Sequence, residues 1–154
     1  MRLRRGMDFL TLLKNEHDEV KKLFGQLDKA EAKKAAQLWE EISMKLTLHE
    51  ELEETHFYPQ LKKEEAAKDL ILEAYQEHHV MDVLIEEISA LEPADEEFHP
   101  KVTVLQENTE HHIEEEEGEL FPKVRKIWNT AKREEVGRKM EEMKQQRLRE
   151  QRAA

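Results

Sequence analysis

Leu13, Val20, Phe24 and Leu27 recur at helical steps and lay an apolar stripe along a helix from about Asp8 to Lys29. Leu38, Ile42 and Leu46 mark a second helix from about Lys33 to Tyr58. A third, from about Ala66 to Leu91, carries Ile71, Ala74, Met81, Ile85 and Ile88 on one arc. The fourth, from about Glu97 to Lys126, carries Val102, Leu105 and Leu120. Leu91-Glu92-Pro93 punctuates the turn between the last two, and Pro59 and Pro122 are each expected to end or kink a helix just past a Phe. A fifth segment, from about Thr130 to Gln151, places Val136, Met140 and Met143 at helical spacing among mixed charges, with fraying expected at its Arg-rich end.

The pattern predicts an all-α, up-down-up-down antiparallel four-helix bundle with an additional C-terminal helix. Residues 1–7 read as an N-terminal extension, 8–127 as the bundle domain and 128–154 as a C-terminal helix and tail. Only 4 Gly and 4 Pro interrupt the 154 residues, which agrees with long helices and leaves little room for strands.

An internal repeat says more than the helices do. Setting Pro59 on Pro122 aligns HEELEETHFYP (49–59) with HIEEEEGELFP (112–122), so both contain His-x3-Glu-Glu and end on an aromatic before Pro. The preceding helices align as well, with His17, Val20, Leu23, Phe24 and Leu27 falling on His78, Met81, Leu84, Ile85 and Ile88. Each half is thus a helical hairpin with His on its first helix and His-x3-Glu on its second.

The histidines fall on the stripes. His17 continues the apolar line of the first helix; His49 and Glu53 continue that of the second, and His112 and Glu116 that of the fourth. On the third helix His78 shares the apolar arc, whereas His79 lies about 100° away with Tyr75, Asp82 and Glu86. His112 is preferred to His111 because it alone keeps the spacing to Glu116 and Pro122 found in the other repeat. At roughly 1.5 Å per residue His17 and His49 stand about 21 and 25 Å from the first turn, and His78 and His112 match each other in the second hairpin. Four imidazoles and two carboxylates therefore converge on one layer.

Net charge is −11 with 40% charged residues, which disfavours nucleic acid as a partner. Cysteine is absent, so disulfides, thiolate zinc sites and cysteine nucleophiles are excluded. No run of apolar residues is long enough to span a membrane, and MRLRRG precedes too short an apolar stretch for a secretory signal, so a cytoplasmic location is expected, with Met7 opening the ordered domain. Imidazole and carboxylate without thiolate suit Fe, Mn or Zn better than Ca or Mg. Six donors are too many for one tetrahedral ion. Two metals bridged by Glu53 and Glu116, with His17, His49, His78 and His112 as terminal ligands, use them all.

NEHDEV around His17, HEELEETHFYP from His49, EHHVM around His78 and HIEEEEGELFP from His112 together resemble the hemerythrin-like, or HHE cation-binding, domain. The resemblance covers about residues 8–127 and implies an oxo- or hydroxo-bridged non-haem di-iron centre; Zn or Mn could occupy it on purification. It implies binding of O2, NO or H2O2, with a catalase-like or peroxide-reducing activity, iron buffering or a non-catalytic interaction role as alternatives. One departure bears on oxygen carriage: the oxygen-carrying hemerythrins have a fifth histidine where this chain has Ala74. Glu50, His79 and Glu117 are secondary ligand candidates, Glu117 because some family members use the residue five after the His. Tyr75 lies close enough in sequence to approach the site. The ferritin-like spacing Glu-x2-His occurs once, at Glu53 and His56, where two copies are needed. His56, His99, His79 and His111 otherwise read as structural or solvated; Met44, Met81, Met140 and Met143 as core fillers; Trp39 and Trp128 as packing near helix ends.

Overall fold

A computed structural model describes residues 6–154; positions 1–5 of the N-terminal extension lie outside the described residues. Asp8 opens α1 (Phe9–Asp28), its carboxylate accepting the Leu10 N–H at 2.9 Å and satisfying one of the donors a helix start leaves free. A tight turn leads to α2 (Ala32–His56), and the short α3 (Tyr58–Leu61) follows. The second hairpin pairs α4 (Lys68–Ser89) with α5 (Phe98–Glu115), continued by a π-helical segment (Glu116–Leu120) and α6 (Phe121–Ile127). The last element, α7 (Thr130–Ala153), starts at Asn129, whose side chain accepts the Lys132 N–H. No strand occurs among the described residues. The result is the expected bundle with its extra C-terminal helix.

The two prolines of the repeat are accommodated differently. At Pro59 the helix gives way: α2 stops at His56, the backbone turns at Phe57, and Pro59 falls in the first turn of α3, where its missing N–H leaves no bond unmade. At Pro122 the helix instead widens. Phe121 N–H donates to Glu116 C=O, one residue further back than an α-helix would use, and Pro122 then sits in the first turn of α6. The helix that carries Glu116 thus passes its proline without turning away from the bundle.

Two apolar clusters fill the bundle. One gathers Phe9, Leu13, Leu52, Phe57, Ile71 and Phe121 near one end; the other gathers Phe24, Ile42, Met81, Ile88, Phe98 and Leu105 near the opposite end. Each such side chain contributes roughly 1.5–3 kcal/mol when fully buried. On each of the four bundle helices the join between the clusters is polar: His17, His49 with Glu53, His78, and His112 with Glu116, all buried. A polar layer sandwiched in this way is positioned by the packing on both sides of it.

Several sequence expectations are corrected. Met44 is 40% exposed on the outside of α2, so it is not a core filler, and Ile85 is only half-buried. Helix α7 stays helical to Ala153, beyond the Arg-rich stretch expected to fray.

Helix α7 lies against α1 and α2, held by Arg133 Nε donating to Asp8 at 2.7 Å and Arg147 to Glu51 at 2.8–2.9 Å. Its closest approach is at Gly137, where a Cβ would overlap the Met7 carbonyl oxygen. Gly137→Ala is therefore expected to destabilise by about 1–3 kcal/mol, although Gly→Ala in an open helix interior gains roughly 1 kcal/mol. Gly25→Ala in α1 is the matched control, because a Cβ there meets nothing within 4 Å. Denaturation curves of the two variants should move in opposite directions; parallel gains would mean that α7 does not seat on Met7.

Candidate metal centre

The four buried imidazoles form two pairs, one from each hairpin. His17 and His49 rings are 4.9 Å apart between centroids, and so are His78 and His112. A carboxylate stands between the pairs twice. Glu53 Oε1 lies 3.1 Å from His49 Nε2 and 3.2 Å from His78 Nε2, and Glu116 Oε1 lies 2.9 Å from His112 Nε2 and 3.6 Å from His17 Nε2. Donor atoms of His17, His49, Glu53 and Glu116 all fall within 4.8 Å of one another, as do those of Glu53, His78 and His112. Glu53 belongs to both groups.

Every imidazole turns Nε2 inward because its Nδ1 is engaged outside. His17 Nδ1 meets Glu117 at 2.7 Å, His49 Nδ1 meets Glu16 at 2.7 Å, His112 Nδ1 meets Glu77 at 2.7 Å, and His78 Nδ1 meets Glu54 at 3.2 Å. A carboxylate on Nδ1 fixes ring orientation and tautomer, leaving the Nε2 lone pair facing the interior. These four partners also repeat. Glu16 and Glu77 each precede a histidine of one helix and serve the histidine of the helix paired with it; Glu54 and Glu117 each follow an inward Glu and serve a histidine of the other hairpin. The signal was in the sequence, as the Glu-His and Glu-Glu doublets of the aligned repeats.

Tyr58 also enters the site. Its hydroxyl donates to Glu116 Oε2 at 3.1 Å and stands 3.3 Å from Nε2 of both His78 and His112. In the repeat Tyr58 aligns with Phe121, whose ring stacks on His17 at 6.2 Å and offers no hydroxyl. The two halves of the centre therefore differ in one oxygen. Tyr75 does not reach the donors: it is half-buried with its ring edge-on to Tyr58 at 5.3 Å. Ala74 packs in the same apolar cluster.

The secondary candidates separate cleanly. His79 is exposed and outside the cluster. Glu117 stands behind His17, on the Nδ1 side. Glu50 is 4% exposed but lies outside the donor groups; burial first, then Asp82 beside it, push its carboxyl up to about 10. At the surface His111 lies 3.0 Å from Glu115 and 3.8 Å from Glu77, a grouping of the kind exposed acidic helices form without a ligand.

Burial opposes charge on His49, His112 and Glu53, yet their neighbours outweigh it. Against that burial, Glu53 and Glu16 hold His49 well above the ordinary imidazole value, and Glu116, Glu53 and Glu77 do the same for His112. Glu53, equally penalised by burial, is held well below the usual carboxylate range by His49, Glu116 and His112. Burial, then Glu116 and Glu53, push the Tyr58 phenol above its ordinary value. The layer is an anionic cage that demands positive charge.

A model of the family described as hemerythrin HHE cation binding domain matches residues 8–124. The chain belongs to the hemerythrin HHE cation binding domain family. A crystal structure of an HHE domain-containing protein from Mycobacterium kansasii, an Rv2633c homolog, superposes with a TM-score of 0.79 at 24% identity, over 90% of this chain and 86% of that one. That likeness is one of fold. A curated relative from Nostoc sp., named DNA nickase, is 29% identical over 123 residues, which are 79% of this chain and 35% of the relative. The chain thus spans about a third of that relative's length.

The donors of this HHE domain fit a metal. Among its buried polar atoms, His17 Nε2, His49 Nε2, Glu53 Oε2 and Glu116 Oε1 have no hydrogen-bond partner, and all four residues belong to one donor group. Buried polar atoms are rarely left unpaired, so four converging on one point mark a place built for a cation.

Proposed function

We propose that this HHE domain holds two iron ions bridged by Glu53 and Glu116 and binds a small gas or oxidant, O2, NO or H2O2, against them. The observation that supports this reading most is the pairing itself: two imidazole pairs of equal spacing, with a carboxylate oxygen within about 4 Å of both pairs in each case. His17 and His49 would hold one ion, and His78 and His112 the other. When bound there, two such ions would supply redox chemistry, up to one electron each for a diatomic or peroxide ligand. The chain's own residues do the rest. Glu16, Glu54, Glu77 and Glu117 keep the four imidazoles oriented and raise their basicity. Tyr58 holds a proton on its hydroxyl, pointed at Glu116, on the His78–His112 side. The two apolar clusters exclude water on either side of the layer.

A net charge of −11 opposes binding to a phosphate backbone, and the chain matches only about a third of the relative named DNA nickase. Among the described residues no helix is long and apolar enough to cross a membrane. Iron quantitation with an optical spectrum, before and after O2, NO and H2O2, tests the proposal. Expected are about two irons per chain and a near-ultraviolet charge-transfer band in the oxidised protein that changes on adding one of the three. A chain that takes up one zinc and no iron would count against it. Rapid oxygen release from H2O2 would move the reading towards peroxide chemistry at the same centre.

A further inference from the structure

A cavity of about 90 Å³ runs from beneath α7 to the centre. Its floor is formed by His17, His49 and His112, while His78 and Tyr58 do not line it. It therefore meets both imidazoles of the half that carries Phe121 in place of a tyrosine, and one imidazole, His112, of the other half. Val20, Leu48, Met81 and Ile113 line it with apolar surface, and two ion pairs also border it, Lys45 with Glu19 at 3.1 Å and Lys144 with Glu16 at 2.9 Å. The one hydroxyl on the wall, that of Thr109, is already committed, donating to Leu105 C=O at 2.7 Å.

The outer wall belongs to α7. Leu148 closes the cavity with a half-buried side chain, and Lys144 spans from α7 to α1, its Nζ 2.9 Å from Glu16 Oε2. Only three residues of α7 are buried, Val136, Gly137 and Met140, all in its first half. The half that bears Lys144 and Leu148 is held by ion pairs and a few partly buried contacts, so it opens at less cost than the buried first half.

We propose that this cavity is the route by which a small, neutral, weakly polar diatomic such as NO or O2 reaches the His17–His49 half of the centre, and that Leu148 and Lys144 on α7 gate it. The proposal rests on the metal reading above and narrows it. A passage of aliphatic side chains behind a rim of paired charges favours a diatomic gas over H2O2 or an anion, each of which would lose its hydration on the way in. Lys144 acts as a latch: Glu16 shares its carboxylate between Lys144 and His49 Nδ1, so α7 is tied to the carboxylate that orients a floor residue.

Two measurements on the full chain test it. In the iron-loaded, reduced protein, the second-order rate of NO association is followed by stopped flow in the parent, Leu148→Trp, Leu148→Ala and Lys144→Met. Leu148→Trp is expected to slow association at least tenfold; Leu148→Ala and Lys144→Met are expected to speed it severalfold, with iron content unchanged in all three. In xenon-pressurised crystals of the metal-free protein, xenon is expected beside Val20 and Ile113 and is expected to be absent in Leu148→Trp, since apolar cavities stay dry and accept it. Rates within twofold of the parent in both Leu148 variants, at full iron content, overturn the route alone. Absence of xenon in the parent also overturns it. A chain that takes up no iron overturns the route together with the metal reading beneath it.

Discussion

Glu53→Ala should abolish occupancy of both metal positions, lowering metal content from about two ions per chain towards none and weakening affinity by well over the about 10–100-fold typical of losing an outer partner. Glu53 is fully buried, and its Oε1 is within 3.2 Å of an inward imidazole nitrogen from each hairpin. Among the described residues no other side chain lies against both His49 and His78, so their shared ligand is lost. The same change removes the carboxylate that, with Glu16 and against burial, holds His49 well above the ordinary imidazole value. Removing one partner of a buried ion pair costs about 3–5 kcal/mol, so metal-free Glu53→Ala should also melt well below the parent. Glu53→Gln keeps the shape and separates the effects: it should lose metal while recovering part of the packing. Elemental analysis and thermal melts with and without added iron check this. Full two-ion occupancy in Glu53→Ala would end the bridged reading.

Tyr58→Phe is expected to remove a visible absorption band from the oxidised iron protein while leaving its iron content intact. The phenol is fully buried, 3.1 Å from Glu116 Oε2 and 3.3 Å from the inward nitrogens of His78 and His112, within reach of an ion held there. In the metal-free protein burial and the two carboxylates keep the phenol protonated, so Tyr58 donates to Glu116. Beside a trivalent cation the balance reverses, since the carboxylates become neutralised and the phenolate is favoured. Phenolate beside ferric iron absorbs in the visible, and phenylalanine cannot. Loss of one hydrogen bond at an otherwise apolar ring should alter stability by only about 0.5–1.5 kcal/mol. Identical visible spectra of parent and Tyr58→Phe would place the phenol outside the coordination sphere.

Both predictions meet at the asymmetry between the halves of the centre. The repeat alignment puts Tyr58 opposite Phe121, and the cavity under α7 opens on the Phe121 side. One half thus has a phenol oxygen and the other an apolar approach. A twofold scaffold with two unlike faces can hold two ions symmetrically and still present a ligand to one of them.

The sequence by itself determined the helices, the hairpin repeat and the polar layer. Helical periodicity is a local property: His17, His78 and His112 occupy apolar stripe positions whatever the helices pack against, and His-x3-Glu puts both donors on one face. Only the tertiary structure decided the rest. Which carboxylate meets which Nδ1 depends on the rotation and axial offset of neighbouring helices, and Glu54 and Glu117 reach across to histidines of the other hairpin. Tyr58 rather than Tyr75 enters the site because the backbone turns at Phe57, and Glu116 stays in line because the helix widens before Pro122. The seat of α7 depends on a side chain that Gly137 lacks, and its latch on Lys144 meeting Glu16 more than a hundred residues away in sequence. Such contacts are fixed by the relative placement of whole elements, which periodicity along a single chain does not encode.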